Sequence, residues 1–253
     1  MNKSSELNLI DKVRGHLERI GGFANLPMEP IIGMKDPFHY RNKAQFPVGR
    51  NRDGKIVTGF YAGRTHSIIE NRDCVLGVPQ NREILDRVID YMETYDISPY
   101  DEVTGKGLIR HIFTRYGYHT GEIMVCIVAN GSRLPHQQEL VKALREIPGM
   151  TSITLNINKN RNNVILGEKI QVLWGQEYIT DKIGDISYQI SPLSFYQVNP
   201  QQTWELYSKA LEYADLHGEE TVWDLLLRHW NHLSFPCPES KICPRRGNCS
   251  CRY

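Results

Sequence analysis

Glu219-Glu220-Thr221-Val222-Trp223-Asp224-Leu225 reads as an acidic lead-in and a buried strand ending beside a carboxylate. In open α/β folds such a strand, reached after a helix, runs toward a ligand, and a glycine-rich turn is expected next. Residues 226–253 instead read LLRHWNHLSFPCPESKICPRRGNCSCRY. This tail has neither the glycines of a turn nor the helical periodicity that should follow one.

Back-translation accounts for the break. Read one base later, from the second base of the Leu226 codon, the tail permits YCGIGTISLFLAQKA as far as Lys241, then KYVxGVEIVPAAI. The Trp230-Asn231 junction gives glycine with no choice of codon. The shifted frame holds a Gly-x-Gly turn, a helix and a second strand closed by an acid, the layout of a nucleotide-type βαβ unit. A single-base insertion just after the Leu225 codon is therefore expected, with 226–253 an aberrant tail. The rival is a genuine cysteine-rich tail on a non-enzymatic RNA- or zinc-binding protein. Its Cys237, Cys243, Cys249 and Cys251 are separated by five, five and one residues. Structural zinc sites favour pairs two to four residues apart, so the frame slip is preferred.

Working outward, Leu9, Val13, Leu17 and Ile20 recur at helical spacing before Gly21-Gly22. Lys43 to Val48 and Lys55 to Ala62 read as strands joined by a turn at Asn51-Arg52-Asp53-Gly54. Ile84, Leu85, Val88 and Met92 predict a second helix, and Leu140, Val141, Leu144 and Ile147 a third. Leu108 to Tyr116 and Glu122 to Ala129 predict a hairpin. Ser152 to Asn158, Asn163 to Leu166, Ile170 to Trp174 and Ile186 to Ile190 read as short strands. The pattern then changes to a loop over Pro192 to Pro200, a helix over Gln202 to Ala214 and the strand at Thr221 to Leu225. The expected organisation is an α+β domain with a mostly antiparallel sheet over 1–185, the start of a second domain over 186–225, and the aberrant tail. Cut off at Leu225, the last strand is expected to lack sheet partners.

Composition sets bounds. The 253 residues are 40% hydrophobic and carry a net charge near +1, so charge alone names no partner. Lys35 to Arg72 nevertheless holds Lys35, Arg41, Lys43, Arg50, Arg52, Lys55, Arg64 and Arg72 against Asp36, Asp53 and Glu70, interleaved with Phe38, Tyr40, Phe46, Phe60 and Tyr61. Cations among aromatic faces suit RNA. They equally suit a solvated strand pair with aromatics in the core. No apolar run reaches membrane-spanning length and no signal-peptide pattern opens the chain. Before the tail only Cys74 and Cys126 occur, which suits a reducing cytoplasm.

Tyr40-Arg41-Asn42-Lys43-Ala44-Gln45, Gly59-Phe60-Tyr61, Ser194-Phe195-Tyr196-Gln197-Val198-Asn199 and Val222-Trp223-Asp224-Leu225 stand in an order and spacing that resemble the S-adenosylmethionine-dependent RNA uracil-5-methyltransferases, the 23S rRNA branch in particular. The resemblance covers about residue 10 to Leu225. It implies an α+β RNA-facing domain followed by the first elements of a class I, Rossmann-like methyltransferase domain. It implies a reaction in which a cysteine thiolate attacks C6 of a flipped uracil, C5 takes the methyl group and a carboxylate removes the C5 proton. Gln197 matches the cofactor-contacting glutamine; the residues alone also allow a loop amide that caps the following helix. Arg41 and Lys43 match the RNA-facing basic pair, with Arg64 and His66 as further candidates and Arg110 and His111 as weaker ones. Cys74 matches the last of four cysteines that hold an iron–sulfur cluster in many members. The other three, and an N-terminal β-barrel domain, would precede Met1, which leaves Cys74 an orphan ligand. The nucleophile and base belong beyond Leu225, so no catalytic residue is expected here. The expected molecule is a cytoplasmic, monomeric, inactive partner of 23S rRNA.

Overall fold

The computed structural model describes residues 3–63, 65, 67–217, 221–222 and 241–242. The chain divides into two units, Met1–Phe38 and His39–Tyr253. In the first, helix α1 spans Lys3–Arg19. It ends where the paired glycines predict: Ile20 and Gly21 donate to the His16 carbonyl, and Gly22 takes a φ of +71° that few other residues tolerate.

The second unit is built on seven strands in the order β3-β2-β1-β4-β5-β6-β7. These are β1 (Lys43–Arg50), β2 (Ile56–Tyr61), β3 (Ile68–Glu70), β4 (Ile109–Tyr116), β5 (Ile123–Ala129), β6 (Met150–Ile157) and β7 (Lys169–Gly175). Every neighbouring pair is antiparallel except β5 and β6, which run parallel across a connection containing helix α3 (Gln137–Arg145). The β1–β2 turn closes on Asn51, whose side-chain oxygen accepts from the Asp53 and Lys55 amides at 3.0 Å each. Gly59 in β2 lets β3 approach, because a Cβ there would lie 2.0 Å from the Ile69 carbonyl oxygen.

Alternation along the strands divides the side chains between two covered faces. On one, helix α2 (Gln80–Thr94) and α3 bury Ile84, Leu85, Val88, Met92, Leu140 and Leu144 against Ile112, Ile123, Val125, Ile127, Ile153 and Leu155. On the other, the hairpin of β8 (Ile179–Ile183) and β9 (Ile186–Ile190), with Tyr196, packs on Phe113, Met124, Cys126 and Val128. Tyr207 and Leu211 of helix α4 (Pro200–Ala214) complete this second layer. Covering both faces explains why β5 is one unbroken apolar run.

Three sequence expectations need correction. Asn163 to Leu166 is not a strand. Its backbone is taken by side-chain amides instead: Asn158 Nδ2 donates to the carbonyls of Val164 and Ile165 at 2.7 and 3.0 Å, and Asn156 both donates to and accepts from Gly167 at 2.7 Å. Strands β3 and β8 were not predicted. The strand expected at Thr221 to Leu225 is described only over β10 (Thr221–Val222), which pairs in parallel with β11 (Lys241–Ile242) and so does have a partner.

Candidate nucleic-acid interface

The segment leading into β1 draws three distant stretches together. On one side, His39 and Arg41 donate their amides to the carbonyls of Val75 and Leu76 at 2.8 and 2.9 Å, alongside the stretch that carries Cys74. Arg41, Lys43, Ala44, Gln45, Phe46, Phe60, Cys74 and Gly77 line a cavity of about 170 Å³. The basic pair, the Gly59-Phe60-Tyr61 strand and the thiol thus share one recess. On the other side, the Asn42 amide donates to Val198 O at 3.0 Å and its side-chain Nδ2 donates to Gln197 O at 2.9 Å. Asn42, between the two basic residues, therefore ties the first motif to the loop that carries Gln197, 155 positions away.

Two further residues hold that loop. Arg115, directly opposite Lys43 across the β1–β4 ladder, donates from Nη2 to Ser194 O and, at 3.5 Å, to Pro192 O. Asp181 of β8 is buried and accepts from the Tyr196 hydroxyl at 3.2 Å and from the His119 amide at 2.9 Å. Gln197 is half-buried, and among the described residues its carboxamide has no hydrogen-bond partner. It is not the helix cap. Asn199 fills that role, its side chain accepting from the Gln202 amide at 3.1 Å, with Pro200 opening α4.

The electrostatics are one-sided. Burial, then Arg115, then Arg41 lower the pKa of the half-buried Lys43. Burial pushes the Arg115 guanidinium down to about 10. Among the described residues no carboxylate pairs with Arg41, Lys43 or Arg115.

The other candidates fall elsewhere. Arg64 and His66 lie outside the described residues, as do Asp224, Leu225 and the tail cysteines. Arg110 is buried, stacks 4.4 Å over Tyr100 and donates to the Asn158 and Asn160 carbonyls at 3.0 and 2.7 Å, so it does not face a ligand. His111 is buried beside the edge of Tyr61. Burial, helped by Arg110, pushes its pKa down to about 4 and keeps the ring neutral. Burial pushes the Cys126 thiol up to about 12, which rules out a thiolate nucleophile there at neutral pH. Cys74 is half-exposed, and among the described residues no group of three or more histidine, cysteine or acidic side chains could hold a metal. The described residues thus do not fit a four-thiolate cluster.

No family model matches the chain. It is 47% identical over 214 residues to an uncharacterized RNA methyltransferase of Halalkalibacterium halodurans, an alignment covering 84% of this chain and 46% of the relative. It is 43% identical over 226 residues to one from Clostridium tetani, covering 88% and 49%. The crystal structure of Pyrococcus abyssi tRNA (uracil-54, C5)-methyltransferase in complex with S-adenosyl-L-homocysteine superposes with a TM-score of 0.68 at 26% identity, over 87% of this chain and 50% of that one. Over most of its length the chain is thus similar to RNA methyltransferases, and it spans about half the length of the curated relatives it matches.

Proposed function

We propose that this chain is the RNA-facing half, and the entry into the cofactor half, of an S-adenosylmethionine-dependent RNA uracil-5-methyltransferase acting on 23S rRNA. Residues 1–185 carry the RNA-facing domain, and 186–225 begin a Rossmann-like domain. The observation that carries this is the double tie from Asn42, which sets the Arg41–Lys43 pair against the Gln197 loop. In an enzyme that methylates RNA, substrate and cofactor must meet at such a junction.

Arg41 and Lys43, with Arg64 and His66, neutralise backbone phosphates and position the strand. The unpaired Gln197 carboxamide offers a donor and an acceptor to the cofactor, which when bound supplies an electrophilic methyl group. A single half-buried loop amide is a partial fit, and the glycine turn and ribose-binding acid that complete it lie in the shifted frame. With nucleophile, base and turn all lost to the frame slip, this copy is an inactive, monomeric, cytoplasmic protein. Tritiated-methyl transfer to unmodified 23S rRNA and tRNA transcripts tests each part. The chain as translated gives background counts, and a gene with one base removed after codon 225 methylates 23S rRNA. Turnover by the unaltered chain would refute inactivity, and methylation of tRNA alone would move the substrate.

A further inference from the structure

Lys43 and Arg115 are register partners on adjacent antiparallel strands. Like charges directly opposite each other in a ladder repel. Among the described residues no carboxylate relieves this pair. Arg115 is 4% exposed, its Nε has no partner, and its Nη2 meets only the neutral carbonyls of Pro192 and Ser194. Beneath it lies the Phe113 ring, 5.2 Å away. A buried guanidinium served by carbonyls and an aromatic face keeps its full charge, and poor screening projects that charge onto its neighbours. Lys43, its register partner, is half-exposed and lines the recess together with Arg41. A cation stack of this kind is completed by an anion from outside.

We propose that Lys43 and Arg115 form a single phosphodiester subsite, in which Lys43 touches the phosphate and Arg115 supports it from behind while gripping the loop that carries Gln197. The proposal rests on the RNA reading above and deepens it. Arg115 is a positioning residue: it converts occupancy of the phosphate site into order in residues 192–198. A structural arginine would hold the same loop whether or not RNA were present.

The test uses the full chain and a fluorescein-labelled twelve-nucleotide oligouridylate, with affinity measured against salt concentration. Each phosphate neutralised on a single strand contributes about 0.7 to the slope of log K against log salt. Lys43→Gln is expected to lose about 0.7 of slope and about tenfold in affinity. Arg115→Gln should lose the same slope, Arg115→Lys should regain it, and the double variant should lose no more than either single one. Hydrogen exchange supplies a measurement that needs no change at Arg115: RNA should slow the amides of residues 193–198 in the unaltered chain and not in Lys43→Gln. Arg115→Gln with an unchanged slope, a double variant losing twice the slope, or RNA that leaves residues 193–198 unprotected would each overturn the subsite. If Arg115→Gln does not fold, hydrogen exchange alone decides. If the unaltered chain shows no salt-dependent RNA binding, the RNA reading falls first and the subsite with it.

Discussion

The two faces of the seven-stranded sheet are both covered and differently made. The helix-covered face is mostly apolar, with side chains from α2, α3 and five strands around few polar bonds, among them Thr114 Oγ1 donating to Asn81 Oδ1 at 2.8 Å and Thr58 Oγ1 to Pro47 O at 3.0 Å. The face under the β8–β9 hairpin mixes Phe113, Met124, Cys126 and Val128 with buried Arg115, His111, Ser152, Asn156 and Asp181. Several polar atoms there, including both nitrogens of His111 and Nε of Arg115, have no partner. Polar groups buried in that way cost stability. Of these, Arg115 grips the loop that carries Gln197, so part of this polar cost falls where the candidate site is built.

Four measurements sharpen or break that contrast. The largest effect is expected on the helix-covered face. Leu85 is fully buried, and Leu85→Ala should cost about 3 kcal/mol in urea unfolding through lost burial and a residual cavity. A loss under 1 kcal/mol would mean that this face is loosely packed. Next, Asp181→Ala strands the Tyr196 hydroxyl and the His119 amide, and should cost about 2–3 kcal/mol. It should also speed amide exchange over residues 179–198 while leaving α2 unchanged; uniform acceleration would erase the distinction between faces.

His111 gives the third test, through pH. Its folded pKa lies near 4, below the usual 6.5, so folding favours the neutral ring. That contribution is fully present above pH 6.5 and is lost as pH falls toward 4. Between pH 7 and pH 5 the loss should be about 2 kcal/mol, and His111→Phe should flatten that part of the stability profile. An unchanged profile would show that the ring reaches solvent. The smallest effect, about 1 kcal/mol by thermal unfolding, is expected for Thr114→Val, which removes a buried side-chain hydrogen bond of the helix-covered face. A much larger loss would make that pair a keystone of the helix layer.

Legibility in the sequence follows the same division. Helices α2 and α3 and strands β1, β2, β4, β5 and β6 were legible because their apolar residues recur at the period of the element. Strand β8 was hidden because its inward positions run Ile179, Asp181, Ile183, with a carboxylate where the alternation calls for an aliphatic. The false strand at 163–166 has suitable residues, yet nothing local reveals that Asn156 and Asn158 will capture its backbone. In the candidate site, the motifs named Arg41, Lys43 and Gln197, and the structure sets Arg41 and Lys43 beside the loop of Gln197. Asn42 sat inside one of those motifs and was passed over, because its role is a contact across 155 positions. Arg115 was missed because an arginine in an alternating strand reads as surface. Only its pairing with Lys43 shows otherwise.

The two thiols outside the tail give the molecule a built-in clock. Cys74 is half-exposed, whereas Cys126 lies fully enclosed beneath the hairpin. Alkylation followed by peptide mass spectrometry would see Cys74 modified promptly, and Cys126 only as often as the hairpin layer lifts. The ratio of the two rates is then a stopwatch for that lid, carrying its own control for reagent strength, and it can be read with RNA present or absent.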